Sequence, residues 1–140
     1  MSIAITKLQE AQKHAVANRP KVGGFPYLAE TLRQAGVKQN IWSLPSCQSI
    51  YHMEDGSVVQ QGNLLVTGTA DIPTFDKDAL ITALRTDQAG KSTFPEFLLA
   101  AWNAGVIWYQ VDFAKRTVTY GGSKGETYVE EYPPVAIEKR

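Results

Sequence analysis

The sequence predicts an α+β fold: an internally duplicated unit of helix, helix and three-stranded antiparallel meander, with the helices packed on one sheet face. Three observations predict it. Residue blocks recur at one fixed offset. Each half opens with two stretches of helical apolar spacing. Each half then closes with alternating stretches broken by turn signals.

The offset is consistent along the chain. Phe25-Pro26 recurs as Phe94-Pro95, 94 − 25 = 69 positions on, and Ala35-Gly36-Val37 recurs as Ala104-Gly105-Val106 at the same distance. Tyr51 matches Tyr120 and Gly56 matches Gly125, again without a gap. These are positions where the backbone restricts the residue: a helix start, a helix end, a strand and a turn. The spacing predicts a single domain, 1–140, with two pseudo-repeats at about 3–61 and 76–132.

In the first half, Leu8, Ala11 and Ala15 lie near helical spacing over residues 3–18, with polar residues between them. Asn18-Arg19-Pro20 and Gly23-Gly24 interrupt the helix. Pro26 suits the first turn of a second helix, where its missing N–H is not needed. Leu28, Leu32 and Ala35 form that helix's apolar stripe, and Gly36 ends it. Asn40 to Leu44 alternates as a strand, with Trp42 and Leu44 on one side. Cys47 to Met53 alternates as the next, with Cys47, Ser49, Tyr51 and Met53 on one face and Gln48, Ile50 and His52 on the other. Asp55-Gly56 is a hairpin signal and Ser57 to Gln60 the return strand.

The second half repeats the order. Helices are expected near 76–89, through Ala79, Leu80, Ala83 and Leu84, and over Phe94 to Ala104, with Phe97, Leu98 and Ala101 inward. Ile107, Tyr109, Val111 and Phe113 alternate with Trp108, Gln110 and Asp112. Strands follow at Thr117–Gly121 and Glu126–Glu131. Pro133-Pro134 ends regular structure and the tail after it is expected to be loose. The connection 61–75 contains Leu64-Leu65-Val66, too apolar for a free linker and expected to tuck against the core.

Composition narrows the function classes. The chain has 140 residues, enough to bury a core without a staple. Its 14 basic and 14 acidic residues cancel, which disfavours nucleic acid as a partner. The single cysteine, Cys47, permits no internal disulfide. The first residues lack the basic start and apolar run of a signal peptide, and no apolar stretch approaches the roughly 20 residues of a membrane span. A soluble cytoplasmic protein without membrane contact is the expectation.

No catalytic, metal or cofactor motif emerges. His14 reads as a solvated helix residue. His52 and Cys47 invite a nucleophile–base pair, but five residues along one strand separates them by about 17 Å. Proton transfer needs about 3 Å. Two histidines and one cysteine offer no metal-ligand spacing. Tyr120-Gly121-Gly122-Ser123-Lys124-Gly125 has the wrong order for a phosphate loop and precedes a strand, so it reads as a hairpin turn. Glu130-Glu131 alternates across a strand and reads as a solvated edge.

One feature points to interaction. If the helices cover the face of Tyr51, Tyr109 and Val111, the opposite face presents Ile50, His52, Trp108, Asp112, Thr117 and Thr119. A tryptophan beside an aliphatic residue and a histidine is the composition of a binding or dimer face. Ile50, His52, Trp108 and Thr119 are therefore the candidate interaction residues.

The repeated blocks, together with Ile50-Tyr51, Asp55-Gly56, Gln88-Ala89-Gly90, Thr93-Phe94-Pro95-Glu96-Phe97 and Val111-Asp112, resemble domain-of-unknown-function family 1398. These are small bacterial and phage proteins often labelled phage envelope protein. The resemblance runs from about residue 20 to 134, and it implies no activity, cofactor or catalytic residue. Where that family often carries a charged pair after the second Gly-Val, this chain has Ile107-Trp108. The expected function is a non-catalytic binding or regulatory module whose partner is a second copy of the chain, another protein or a small molecule. The rival expectations are a small enzyme using His52 or Cys47, and a phage structural component.

Overall fold

The computed structural model describes residues 2–137. Its elements run α1 (Ile3–Asn18), α2 (Gly24–Gln34), β1 (Val37–Ser43), β2 (Gln48–Met53), β3 (Gly56–Gln61), α3 (Lys77–Gln88), α4 (Phe94–Asn103), β4 (Trp108–Asp112), β5 (Thr117–Gly121) and β6 (Thr127–Glu131). The fold is α+β, as the sequence predicts. The six strands form one antiparallel sheet in the order β3-β2-β1-β4-β5-β6, so β1 and β4 meet at its centre.

Local chemistry sets the helix ends. Ser2 caps α1 by accepting from the Ile5 N–H, and Asp76 caps α3 by accepting from Ala79. Thr93 and Glu96 form a capping box at α4, with Pro95 in the first turn. Gly36 and Gly105 leave α2 and α4 at φ +100° and +86°, a conformation that costs glycine little. Gly105 is also crowded: a Cβ there would stand 2.5 Å from Phe75 Cα.

Strand alternation divides the sheet into two faces. Val37, Asn40, Leu44, Ser49, Tyr51, Met53, Tyr109, Val111, Val118 and Tyr120 are buried. Apart from Asn40 and Ser49 they share one core with Leu8, Leu32, Leu80, Leu84, Phe97 and Leu98 of the helices. Helix α1 packs on α2, and α3 on α4, so two helix pairs lie on the same face.

Several expectations change. Cys47 is not in a strand: it closes the turn before β2 with φ 50°, and its backbone carbonyl accepts from Gly62. His14 is not simply solvated, because its Nε2 lies 3.3 Å from Tyr27 Oη and links α1 to α2. In the connection Leu65, Val66 and Phe75 pack on the core, but Leu64 remains 59% exposed. Glu130 is not a solvated edge residue, since Arg85, Gln88 and Tyr128 all donate to its carboxylate. The chain after Pro134 returns to α2, where Gln34 Nε2 donates to the Ile137 carbonyl at 3.2 Å.

Candidate functional site

Between the two helix pairs and the centre of the sheet lies a cavity of about 340 Å³. That is at the small end of the roughly 300–1,000 Å³ typical of small-molecule sites. Its floor is the core face of β1 and β4, with Asn40 and Trp42 from one strand and Tyr109 and Val111 from the other. The register sets Asn40 beside Val111 and Trp42 beside Tyr109. Tyr51 extends the floor on one side, and Val118 and Tyr120 on the other.

The helices supply the walls. Phe25, Leu28 and Leu32 come from α2, Leu84 from α3, and Phe94 and Phe97 from α4. Phe25 and Phe94 occupy the first turns of their helices, so the prolines that set those turns also aim a phenylalanine at the opening. Arg19, Phe25, Asp87, Gln88 and Phe94 also line a groove bounded by the loops that join α1 to α2 and α3 to α4. The cavity therefore adjoins those two loops.

The lining is aromatic in a connected way. Trp42 stacks on Tyr109 at 5.8 Å between centroids and 12° between planes, and meets Phe94 edge-on at 5.3 Å. Tyr109 continues to Tyr120 at 5.9 Å. Interiors are normally close-packed, so an opening of this size beneath such large rings departs from what a core alone requires.

Its polar groups are few. Asn40 is 4% exposed and donates through Nδ2 to the Ile50 carbonyl; no described residue donates to its Oδ1. Tyr109 and Tyr120, 7% and 6% exposed, make no side-chain hydrogen bond among the described residues. No fully enclosed side-chain polar atom among the described residues lacks a partner. These groups therefore keep some accessible surface, and all three residues line the cavity. Burial pushes the Tyr109 and Tyr120 phenols well up, so both stay neutral and able to donate. Tyr51 is raised for the same reason and accepts from Gln12.

Charge collects at the rim. Asp87 is held above the usual carboxylate range by burial, against a hydrogen bond from Ser92 and the nearby Arg19 charge. Glu130 is also partly buried, but the hydrogen bonds from Arg85, Tyr128 and Gln88 outweigh that and hold it below the usual range. Glu131 follows it but pairs with Thr117, so it turns to the sheet face away from the helices and is exposed there.

The residues singled out from sequence lie elsewhere. Ile50, His52, Trp108 and Thr119 alternate with the buried strand residues and so occupy the sheet face away from the helices. Ile50 is 37% exposed, and His52, Trp108 and Thr119 are half-buried. His52 Nδ1 lies 2.9 Å from Ser57 Oγ, and the ring borders a shallow groove with Glu54 and Asp112. Cys47 belongs to the core on the helix side, and burial pushes its thiol up. The structure thus does not bring Cys47 and His52 together. Among the described residues there is no cluster of three metal-ligating side chains. No described helix is long and apolar enough to cross a membrane.

The chain matches the family described as protein of unknown function, DUF1398, over residues 13–131. It belongs to that family. It is also similar to an uncharacterized protein of Mycobacterium tuberculosis (strain H37Rv), with 55% identity over 135 residues, covering 96% of this chain and 82% of the relative. An uncharacterized protein of Mycobacterium bovis shows the same identity and coverage. The matched region contains every residue of the cavity floor.

Proposed function

We propose that this family member is a non-catalytic binding module that holds a small molecule in the cavity between its helix pairs. The observation that carries this reading is the pair of buried phenols, Tyr109 and Tyr120, which line an aromatic cavity and have no side-chain hydrogen-bond partner among the described residues. A buried hydroxyl left without a partner costs stability, and a ligand that completes its hydrogen bond recovers that cost.

The position of the cavity supports the reading. Ile41 pairs with Gln110, its counterpart at the offset of 69 (110 − 41). Left-handed residues also recur at that offset, as Gly36 and Gly105, Cys47 and Arg116, and Gly56 and Gly125. We read the halves as repeats about a pseudo-two-fold axis at the Ile41–Gln110 pair. Asn40, Trp42, Tyr109 and Val111 flank that pair, so the floor of the cavity lies on the axis. Fold symmetry alone assigns no function, but shared axes are where two-part ligand clefts form. The lone unpaired thiol supports a cytoplasmic setting for the module.

The test is methyl NMR of the protein against small aromatic compounds. Binding in the cavity should shift the methyl resonances of Leu84, Val111 and Val118 together. Val111→Phe, which fills the floor, should abolish those shifts while the protein stays folded. Shifts confined to Ile50 on the opposite face, or none at all, would overturn the reading.

The uncovered sheet face supports a second reading, self-association through Ile50, His52, Trp108 and Thr119. Its support is the exposure of Ile50 on the same sheet face as the indole of Trp108, apolar surface that no described helix covers.

A further inference from the structure

We propose that residues 132–137 are a strap that closes the cavity, with the ring of Tyr132 as its gate, which rests on the small-molecule reading above. Tyr132 follows β6 directly and belongs to the cavity lining. It is half-buried, whereas Tyr109, Val111 and Tyr120 of the floor are buried. A side chain that is both in the lining and in contact with solvent stands where the cavity opens. Its partner there is Phe25, half-buried like it: the two rings meet edge-on at 5.2 Å between centroids and 84° between planes. Tyr132 and Phe25 together therefore close that side of the cavity.

The repeats show why this ring differs from the others. Phe94, the counterpart of Phe25, is met edge-on at 5.3 Å by Trp42. The counterpart of Trp42 is Val111, since 111 − 42 = 69, and valine has no ring to offer Phe25. Tyr132 supplies that ring from outside the sheet. Trp42 is fixed in the central strand β1 and cannot leave without breaking strand pairs, whereas Tyr132 lies beyond the last strand and can. The strap is also lightly held. Among the described residues, its hydrogen bonds are Tyr132 N–H to the Arg116 carbonyl at 3.0 Å and Gln34 Nε2 to the Ile137 carbonyl at 3.2 Å. Pro133 and Pro134 have no N–H with which to prolong β6. Pro133, Pro134 and Ala136 are exposed, so lifting the strap uncovers little apolar surface. Few buried contacts and few hydrogen bonds are what let a segment open without global unfolding.

The experiment uses the full chain and indole as the probe. Association and dissociation rates come from exchange broadening of the Leu84, Val111 and Val118 methyl resonances during titration. Loss of a wall contact raises the dissociation rate alone, whereas loss of a gate raises both rates. Tyr132→Ala should therefore raise the association rate about tenfold. Tyr132→Phe keeps the ring and should match the parent. Gln34→Ala frees the far end of the strap from outside the lining and should raise the association rate about threefold. If Tyr132→Ala changes the dissociation rate alone, or neither rate, the strap is wrong and the cavity reading stands. If Tyr132→Ala does not fold, an association rate in Gln34→Ala equal to that of the parent overturns the strap in the same way. If indole shifts no lining methyl in the parent or in any variant, both fall.

Discussion

The indole of Trp108 packs against Gly121 on the neighbouring strand, so close that a Cβ on Gly121 would stand 2.0 Å from the Trp108 ring. The missing side chain of the glycine is the space the tryptophan occupies. Alanine in a strand is ordinarily no worse than glycine, because it restricts the unfolded chain. Here Gly121→Ala should destabilise the protein by about 1–3 kcal/mol, the cost of overpacking a rigid neighbour. Urea unfolding measures this, and a red shift of the native tryptophan emission should accompany it. A variant as stable as the parent would show that Trp108 does not need that contact.

Glu130 makes a prediction about acid. Its folded-state pKa is depressed, so the stability it contributes is present above the unfolded carboxylate value and is lost as pH falls through the folded value. Glu130→Gln should cost about 1 kcal/mol at neutral pH, where it weakens the contacts with Arg85, Gln88 and Tyr128. The difference from the parent should shrink as both are acidified below the usual carboxylate range. A constant difference across that range would assign the effect to packing instead.

Much of this was readable from the chain, and the misses have physical causes. Helix starts and stops followed from Pro26, Pro95, Gly36 and Gly105, whose backbone limits act locally. The two sheet faces followed from alternation, and Tyr51, Tyr109 and Val111 do point to the helices. The cavity did not follow, because alternation says which side chains turn inward and not whether they fill the space they enter. A signal was nonetheless present. Phe25 with Phe94, and Tyr51 with Tyr120, are the aromatic repeats of the chain, and all four line the cavity. By local pattern alone they read as helix starts and strand core. Glu130 was misread because its partners Arg85 and Gln88 lie more than forty residues away in sequence. Cys47 was misread because a left-handed turn residue that is not glycine, asparagine or aspartate leaves no mark in the pattern.

Cys47 should react slowly. It is 7% exposed, its thiol donates to the Leu44 carbonyl, and burial raises its pKa, which lowers the thiolate fraction at neutral pH. Labelling by a disulfide reagent under native conditions should run far below the rate in urea and follow the opening of the turn before β2. Because Cys47 holds φ 50°, Cys47→Asn should be tolerated better than Cys47→Val, whose branched side chain resists that conformation. Native labelling as fast as that of the unfolded chain would return Cys47 to the list of candidate nucleophiles.

The uncovered sheet face yields the last prediction. Ile50 is 37% exposed, and Trp108 is half-buried through its contact with Gly121 rather than under a helix. Formal net charge is zero, so little long-range repulsion keeps two copies apart. A two-fold contact would use the same patch from both, placing each substitution in the interface twice. Burying one large apolar side chain is worth about 2 kcal/mol, so one charged replacement per copy removes about 4 kcal/mol from a dimer, roughly a thousandfold in its dissociation constant. Sedimentation equilibrium of the parent should therefore show a concentration-dependent dimer, and Trp108→Glu should be monomeric. Ile50→Glu separates association from folding, because it introduces the charge on β2 and leaves the Trp108–Gly121 contact in place. It should be equally monomeric, with an unfolding midpoint close to that of the parent at dilution. A parent protein that sediments as a monomer at every concentration would show that this face is ordinary sheet surface, with Trp108 satisfied by its glycine.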